Sequence, residues 1–390
     1  MSDRRLAFIY APEIEELPYP EDCPFKTQRA GLARQRLRSF GSLGGGDRLE
    51  VTPQPAGIED LQRFHTPAYL EQLQRAARGD LTVEALHLGL GGADTPVFPA
   101  MFDYGRWAAG AGLTAADLLL EGRADIVFNL LGGFHHAFAA RAGGFCYLND
   151  VVLVCDRLAS AGRRVFCLDV DAHHGDGTQA AFYQRADVFT VSIHESGRTL
   201  YPWGGWESEI GEAGGEGFNG NLGLPAGCHD AAFVRALDEF ALPLLKAYAP
   251  DVVVVELGMD TLAGDPLTHL AMTNNVCVEL ASRLLACDRP LLIIGGGGYH
   301  VENTVRAWSL AWRAFAGEEE EHDLSLGMGG VFLGSSEWAG GLRDPERPVD
   351  PRQGREVDAA LDQALTRAQE KLFPRHGLPA GRPSVIGQPE

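Results

Sequence analysis

Short apolar runs, rich in β-branched residues, alternate along this chain with longer segments of helical pattern. The candidate strands are "LAFIY" (6–10), "LEVTP" (49–53), "DIVFNLL" (125–131), "RRVFCLDV" (163–170), "DVFTVSIH" (187–194), "DVVVVELG" (251–258) and "PLLIIGG" (290–296). Several of them are apolar at almost every position, which is expected when helices cover both faces of a parallel sheet. The alternation therefore predicts one α/β domain in the 390-residue chain rather than a string of modules.

Helical patterns fill most of the intervals between these runs. They lie near 27–39, 98–120, 147–161, 176–185, 230–248, 274–287, 302–316 and 355–372. Long polar, glycine-rich segments at 195–229 and 261–273 predict loops, which at this size in a compact domain usually carry function or move. A charge run at 317–323 and a Gly- and Pro-rich segment at 326–354 precede the last helix. We expect a domain over 1–375 and a C-terminal tail over 376–390.

Composition excludes several classes of partner. The formal net charge of -20 argues against binding to the phosphates of nucleic acids and is compatible with cationic partners. No apolar stretch reaches the roughly 18 residues that a membrane span needs, and no signal peptide is visible. The seven cysteines include no closely spaced pair. We therefore expect a cytoplasmic protein with reduced thiols, no membrane segment and no nucleic-acid partner.

Ionisable or glycine-rich segments follow five of the predicted strands. In chain order they are "GGFHHA" with His135 and His136, "DVDAHHGD", "SIHES", "GMDTLAGD" with Asp260 and Asp265, and "GGGGYH" with Tyr299. Ligands of open parallel sheets bind beyond the carboxyl ends of the strands. Five such segments at one edge predict a single shared site.

The segment "DVDAHHGD" carries side chains suited to a metal ion. Asp169, Asp171 and His173 are spaced by two residues, so on an extended backbone they point the same way. Asp260, from another strand end, can join Asp171 and His173 as a third ligand. Two carboxylates and one imidazole suit Zn²⁺ or Fe²⁺ with an open coordination position, which is typical of a catalytic metal. The alternative, in which the aspartates cap the following helix, does not account for Asp260.

The tandem histidines and the tyrosine predict acid–base chemistry beside that metal. His135 and His136 each need a carboxylate to fix the ring tautomer, and Asp169 and Asp176 are available. Such a pair resembles a general base and general acid arrangement, whereas the alternative is two buried structural histidines. Tyr299, after four glycines, can donate a hydrogen bond to a developing oxyanion; the alternative is a packed aromatic in a glycine-rich turn.

Taken in order, these motifs resemble the histone deacetylase family of metal-dependent acyl-lysine hydrolases, which includes bacterial acetoin-utilisation-type members. The matching segments are "FHTPAYL" (64–70), "GADTPVF" (92–98), "GGFHHA" (132–137), "GGFCYLND" (143–150), "DVDAHHGDGTQ" (169–179), "VSIH" (191–194), "GMDTLAGDPL" (258–267) and "GGGGY" (295–299), so the resemblance covers roughly 60–310. It implies a single-domain arginase/deacetylase fold, with an eight-stranded parallel sheet flanked by helices on both faces. It also implies zinc-dependent lysine deacetylase or deacylase activity.

The resemblance assigns a role to each matching residue. Asp171, His173 and Asp260 correspond to the Zn²⁺ ligands. His135 and His136 correspond to the tandem histidines, paired with Asp169 and Asp176 respectively, with His136 as the general base and acid. Tyr299 corresponds to the tyrosine that polarises the substrate carbonyl. The implied substrate is an acylated lysine in a peptide or protein, or a small acylated amine.

The resemblance further implies a substrate tunnel, a release channel and K⁺ sites. The tunnel and its rim would be formed by Asp94, Gly144, Phe145, Tyr201, Leu267 and Gly297, and Arg29 would lie by the release channel. One K⁺ would be held near Asp169, Asp171, His173, Ser192 and Ile193, largely through backbone oxygens, and a second near Phe182, Arg185 and Val188.

Some positions depart from the family pattern and leave rivals open. Phe134 precedes the histidines where Trp is more usual, Tyr201 stands where Phe is usual, and the loop at 196–220 contains "PWGGW". A ureohydrolase with two Mn²⁺ ions would need a carboxylate at Gly175, and an acetylpolyamine amidohydrolase would favour an acidic residue at Leu267. A non-catalytic acyl-lysine binding protein is the third rival, although every catalytic position is filled.

Overall fold

A parallel β-sheet forms the centre of the computed structural model, which describes residues 4–45, 48–318 and 341–380. Within these residues the sheet has eight strands in the order β2-β1-β3-β8-β7-β4-β5-β6, and every neighbouring pair is parallel. The strands are β1 (Leu6–Ile9), β2 (Arg48–Val51), β3 (Ile126–Asn129), β4 (Val165–Asp169), β5 (Val188–Glu195), β6 (Asn219–Leu224), β7 (Val252–Glu256) and β8 (Leu291–Ile294). The seven predicted strands and the eight-stranded parallel sheet are confirmed.

The strand β6 lies inside the segment 195–229, so the prediction of one continuous loop there is wrong. Its sequence, "NGNLGL", has few residues of strand propensity. Backbone pairing with β5 is reinforced by polar side chains: Thr190 Oγ1 donates to Asn219 Oδ1 at 2.6 Å, and Asn219 and Asn221 donate to Gln179 Oε1 at 2.8 and 2.7 Å. The partners lie in β5 and in the helix that contains Gln179, about 40 residues earlier in the chain, so no local sequence pattern reveals these contacts.

The helices connect the strands. They are α1 (Arg29–Ser39), α2 (Ile58–Leu61), α3 (Pro67–Ala77), α4 (Val83–His87), α5 (Met101–Leu120), α6 (Asp150–Ser160), α7 (Asp176–Phe182), α8 (Asp230–Ala236), α9 (Leu242–Tyr248), α10 (Val276–Ala286), α11 (Val301–Phe315) and α12 (Pro351–Leu372). A π-helical turn, Leu237–Ala241, joins α8 to α9 within the single predicted helix at 230–248. None of these helices is both long enough and apolar enough to cross a bilayer.

Two helix predictions need correction. The segment 58–87, for which no helix was predicted, holds α2, α3 and α4, although Thr66 caps α3 by accepting the N–H of Tyr69 and Pro67 begins it. The last helix begins at Pro351, inside the segment predicted as irregular, because Asp350 accepts the N–H groups of Arg352 and Gln353. Most of the charge run at 317–323 and most of the predicted tail lie outside the described residues.

The sheet order explains why one edge collects the chemistry. The five strands followed by ionisable or glycine-rich segments, β3, β8, β7, β4 and β5, are consecutive neighbours in the sheet. The last residues of β3, β8, β7 and β4 are also in register, because Asn129 pairs with Ile294, Ile294 with Glu256, and Glu256 with Asp169. Asp169 pairs in turn with Ser192 of β5, which continues for three more residues. The connections after these strands therefore leave the sheet side by side at one level.

Candidate active site

The side chains of the three predicted metal ligands lie close together beyond the carboxyl ends of β4 and β7. His173 Nδ1 lies 3.1 Å from Asp171 Oδ1 and 2.9 Å from Asp260 Oδ2, and all three residues are buried. Backbone groups fix them there, because Ala172 N donates to Asp260 Oδ1 at 3.0 Å and His173 N donates to Asp171 Oδ1 at 2.8 Å. The segment after β4 thus wraps around the carboxylate that β7 supplies.

The chemistry of this donor set fits a divalent cation. Asp171, His173 and Asp260 each offer one ligand atom, and these atoms all lie within 4.8 Å of one another. A Cβ atom at Gly258 would lie 1.9 Å from Asp171 Oδ2, and one at Gly297 would lie 2.1 Å from Asp260 Oδ2, so glycine backbone closes directly on the carboxylates. The set contains no thiolate, and two carboxylates with an imidazole are ligands that Zn²⁺ and Fe²⁺ accept.

Electrostatics within this group favour one added positive charge. Burial opposes the charged imidazole, but hydrogen bonds and charges from Asp171 and Asp260 raise the pKa of His173 to about 10. Burial, and then the neighbouring Asp171 carboxylate, raise the pKa of Asp260 to about 7. Two buried carboxylates this close repel each other unless a proton or a cation lies between them.

The tandem histidines form the predicted pairs with carboxylates. His135 Nδ1 lies 2.8 Å from Asp169 Oδ2, and His136 Nδ1 lies 2.8 Å from Asp176 Oδ1. The two rings face each other, with 3.1 Å between their Nε2 atoms. Since both Nδ1 atoms carry the hydrogen shared with a carboxylate, one of the two facing Nε2 atoms must donate to the other.

The surroundings decide which of the two imidazoles is charged. Burial opposes charge on His135, but the carboxylates of Glu256 and Asp169 raise its pKa well above its usual value. Burial and the adjacent His135 lower the pKa of His136 to about 4, despite Asp176. These effects favour charge on His135 over charge on His136, so His135 is the favoured donor in the contact between the two Nε2 atoms.

Glu256 is a member of this group that the sequence analysis did not single out. It is the last residue of β7, it is fully buried, and its Oε2 lies 3.1 Å from His135 Nδ1. Its ligand-type atoms lie within 4.8 Å of those of His135 and Asp169, so two acids flank one imidazole. Burial, and then the Asp169 charge, raise the pKa of Glu256 well above its usual value. The sequence does contain a signal for this residue, because Glu256 is an acidic residue directly after four consecutive valines of a predicted buried strand.

Tyr299 is half-buried beside the metal-ligating group. Its ring centroid is 6.3 Å from that of His173 and 5.8 Å from that of Phe145. Burial, and then the Asp260 and Asp171 charges, raise the pKa of its phenol well above the usual value, so the hydroxyl keeps its proton. The preceding glycine run closes on the metal-ligating group, because Gly297 N donates to Asp171 Oδ2 at 2.7 Å.

Arg29, the predicted channel residue, is buried behind that glycine run. Its guanidinium donates to Gly298 O at 2.7 Å and to Gly296 O at 2.9 Å, and it stacks on the rings of Phe25 and Trp308. Burial lowers the pKa of this arginine. The cation is thus held by carbonyl oxygens and aromatic faces at the back of the site.

Several of the predicted tunnel residues lie close to His136 or to one another. The Tyr201 ring lies 5.1 Å from that of His136. Gly144 and Phe145 form a turn with φ values of 51° and 64°, and a Cβ atom at Gly144 would lie 2.3 Å from the His136 ring. Asp94, predicted at the rim, accepts the N–H of Gly144 with Oδ2 at 2.9 Å. One oxygen of this exposed aspartate therefore holds the turn.

The predicted K⁺ residues fall into two places in the fold. Asp169 and Ser192 are register partners on β4 and β5, and Ser192 Oγ lies 2.8 Å from His194 Nδ1. Arg185 N donates to Phe182 O at 2.9 Å in the turn before Val188, where β5 begins. Asp171, His173 and Ile193 complete the first group. Both groups stay predictions as cation sites.

A buried histidine supports the segment that carries the tandem pair. His65 Nε2 accepts the N–H of Asn149 at 3.0 Å, and the Asn149 amide donates to the carbonyls of His135 and Ala137 at 3.1 and 2.9 Å. Burial lowers the pKa of His65 from 6.5 to about 4. The unprotonated ring is the form that this hydrogen bond requires.

This gives a pH prediction for stability. Between about pH 6.5 and pH 4 the unfolded chain binds a proton at His65 that the folded protein does not, so stability falls as the pH falls through that window. Replacing His65 by Gln keeps an acceptor for Asn149 and removes the titration. Denaturant unfolding in chelator should show a shallower acid loss in H65Q, by up to ~1.4 kcal/mol per pH unit. Equal slopes in both proteins would contradict this role.

Comparison with known proteins agrees with this geometry. Residues 23–315 match the Histone deacetylase domain. The acetoin utilization protein AcuC of Bacillus subtilis (strain 168) is 37% identical over 329 residues, which are 82% of this chain and 84% of that protein. Histone deacetylase 8 of Xenopus tropicalis is 35% identical over 313 residues, 78% of this chain and 84% of that protein.

Solved structures agree as well. A crystal structure of an HDAC homolog complexed with SAHA superposes with a TM-score of 0.81 at 30% identity, covering 93% of this chain and all of that one. An HDAC homolog from Aquifex aeolicus gives a TM-score of 0.81 at 31% identity with the same coverage. The fold is that of the arginase/deacetylase class. The chain belongs to the histone deacetylase family, as a bacterial acetoin-utilisation-type member.

Proposed function

We propose that this protein hydrolyses the amide bond of Nε-acylated lysine, as a metal-dependent lysine deacetylase or deacylase of the cytoplasm. Membership of the family supports deacetylase activity. The proposal depends most on one observation: two groups of side chains lie next to each other in a buried part of the protein. The metal-type cluster of Asp171, His173 and Asp260 stands beside two histidines that each have their own carboxylate.

The proposed metal is Zn²⁺, with Fe²⁺ as the alternative, held by Asp171, His173 and Asp260. A bound divalent ion of this kind supplies Lewis acidity and lowers the pKa of a bound water towards ~7. The protein's own groups do the remaining work. Glycine backbone at 258 and 297 lets the chain approach the ligands closely and keeps side chains out of the site.

Tyr299 is proposed to donate its phenolic hydrogen to the carbonyl oxygen of the substrate amide. Its raised pKa keeps that hydrogen in place, and its half-buried ring packs beside the rings of Phe145 and His173. A donor aimed at the developing oxyanion stabilises the transition state more than the ground state.

His136 is proposed to take a proton from the attacking water and to deliver it to the leaving amine. Asp176 fixes the hydrogen at Nδ1, so Nε2 is the basic atom. His135, held by Asp169 with Glu256 beside it, has its Nε2 3.1 Å from that same Nε2 and is proposed to keep the His136 ring in place. A neutral His136 at pH 7 is the form that a general base requires.

The approach to this centre suits a long, unbranched acyl-lysine side chain. Tyr201 and Phe145 provide aromatic walls, Gly144 provides a surface without a side chain, and Leu267 is proposed as a further apolar wall. Asp94 is proposed to hold the substrate backbone with the oxygen that Gly144 does not use. We further propose that K⁺ binds near Ser192 and near Val188. The product is proposed to leave past Arg29.

Replacing Tyr299 by Phe tests the proposed donor. The variant keeps the ring and loses the hydroxyl, so bound metal should stay at the wild-type amount while kcat falls by ~10²-fold or more. Steady-state kinetics on an acetyl-lysine peptide, with metal analysis of the same samples, measure both. Wild-type turnover in Y299F would remove this residue from the mechanism.

Chelation and a substrate panel test the reaction class. Acyl-lysine peptides and acetylated polyamines are assayed with and without chelator, and bound metal is counted per chain. We expect one catalytic Zn²⁺ or Fe²⁺, loss of activity in chelator with recovery on adding metal back, and higher kcat/KM on peptides. Preference for polyamines would identify an acetylpolyamine amidohydrolase, and two Mn²⁺ per chain would indicate a ureohydrolase. Turnover that is insensitive to chelator would contradict the proposal.

A further inference from the structure

Tyr299 directly follows a segment of glycines, whose backbone has little intrinsic rigidity. Four glycines precede it, and two of them, Gly296 and Gly298, have φ values of 152° and 124°. Glycine loses more conformational freedom on folding than any other residue. A group that polarises a carbonyl must nevertheless be held to within about 0.5 Å of its working position. The glycine run therefore needs fixed contacts from outside itself.

The glycine run has such contacts on several sides. Arg29 donates to Gly296 O and Gly298 O, and Asp171 Oδ2 accepts the N–H of Gly297. The next peptide group is held by Asp265, whose Oδ2 accepts the N–H of Tyr299 at 2.7 Å. Of these contacts, the one with Asp265 is made to Tyr299 itself.

The second oxygen of Asp265 is also used. Oδ1 accepts the N–H of Leu267 at 3.0 Å, and the aspartate is buried with 8% of its surface exposed. The bond to Leu267 is local, as in an Asx turn, whereas the bond to Tyr299 spans 34 residues and joins the connection after β7 to the connection after β8. Between Asp260 and Leu267, the connection after β7 thus carries a proposed metal ligand, this aspartate and a proposed tunnel wall.

We propose that Asp265 is a positioning residue: its carboxylate, by accepting the N–H groups of Tyr299 and Leu267 together, fixes the phenol donor relative to the tunnel wall. This inference rests on the proposed function, because it needs Tyr299 to act on the substrate. Asp265 touches neither substrate nor metal, and its effect on the reaction passes through the Tyr299 side chain.

Replacing Asp265 by Asn separates this role from ordinary turn stabilisation. The amide has the shape of the carboxylate, but its NH₂ group cannot accept, so one of the two backbone bonds is lost. We expect kcat on an acetyl-lysine peptide to fall towards ~10²-fold, with a much smaller change in KM and with unchanged bound metal, since a small misplacement of a catalytic group costs this much. Where D265N yields little folded protein, D265S, which keeps one acceptor oxygen, takes its place.

A double-mutant cycle with Y299F gives the deciding readout. If Asp265 acts through the phenol, D265N should change kcat by less than about two-fold once the hydroxyl is absent. The affinity for a hydroxamate, whose carbonyl replaces that of the substrate, should follow the same non-additive pattern without requiring turnover. Equal effects of D265N in the wild-type and Y299F backgrounds, or wild-type kcat in D265N, would overturn the inference.

Asp230 supplies the matched control. Its carboxylate likewise accepts a backbone N–H from a distant loop, that of Thr273 at 2.6 Å, but it lies outside the candidate site. The other oxygen of Asp230 faces the Thr273 hydroxyl, so an asparagine could keep the backbone bond, and the control variant is therefore D230A. D230A loses the backbone hydrogen bond and should keep kcat near the wild-type value. Assay of the wild-type protein distinguishes failure of the proposed function from failure of this inference. Absence of chelator-sensitive deacylation contradicts the proposed function. An active wild type in which the effects of D265N and Y299F are additive contradicts only the role of Asp265.

Discussion

The centre of this structure depends on keeping several carboxylates together away from water. Asp169, Asp171, Glu256 and Asp260 are all buried at the carboxyl ends of β4 and β7. Uncompensated, such a group would be strongly destabilising, because burial and mutual repulsion both disfavour the charged forms. The fold offsets this with the imidazoles of His135 and His173 and with backbone N–H groups aimed at the carboxylates.

That balance explains why so much of the surrounding chain is glycine. A side chain at position 258 or 297 would occupy the space of a carboxylate oxygen, and one at 144 would enter the His136 ring. Glycine brings backbone amides within bonding distance of buried acids, at the cost of conformational freedom. The glycine run before Tyr299 is bonded by the guanidinium of Arg29, by the carboxylate of Asp171 and by backbone groups of Asn129, Leu257 and Met259, and Asp265 accepts the N–H of Tyr299 itself.

The parts of the fold that the sequence predicted are those with a local signal. Apolar β-branched runs mark seven strands, and the residues after them mark the edge where the site forms. The pairing of His135 with Asp169 and of His136 with Asp176 was expected from the resemblance and is what the geometry has. Strand β6 was missed because its asparagines are held by Gln179 and Thr190 from distant elements. The early start of α12 was missed because a Pro- and Gly-rich approach hid the cap at Asp350.

The sequence alone determined seven of the eight described strands, the polar residues at their ends and, through its motifs, the family. It could do so because spacing and residue type are local properties of the chain. The tertiary structure decided the surroundings of the two imidazoles, because β7 places Glu256 beside His135, which lies 121 positions earlier in the chain. It also decided that Asp265 accepts the backbone N–H of Tyr299. A parallel sheet brings together segments that are far apart in the chain. Their separation in sequence does not reveal which of them lie close in space.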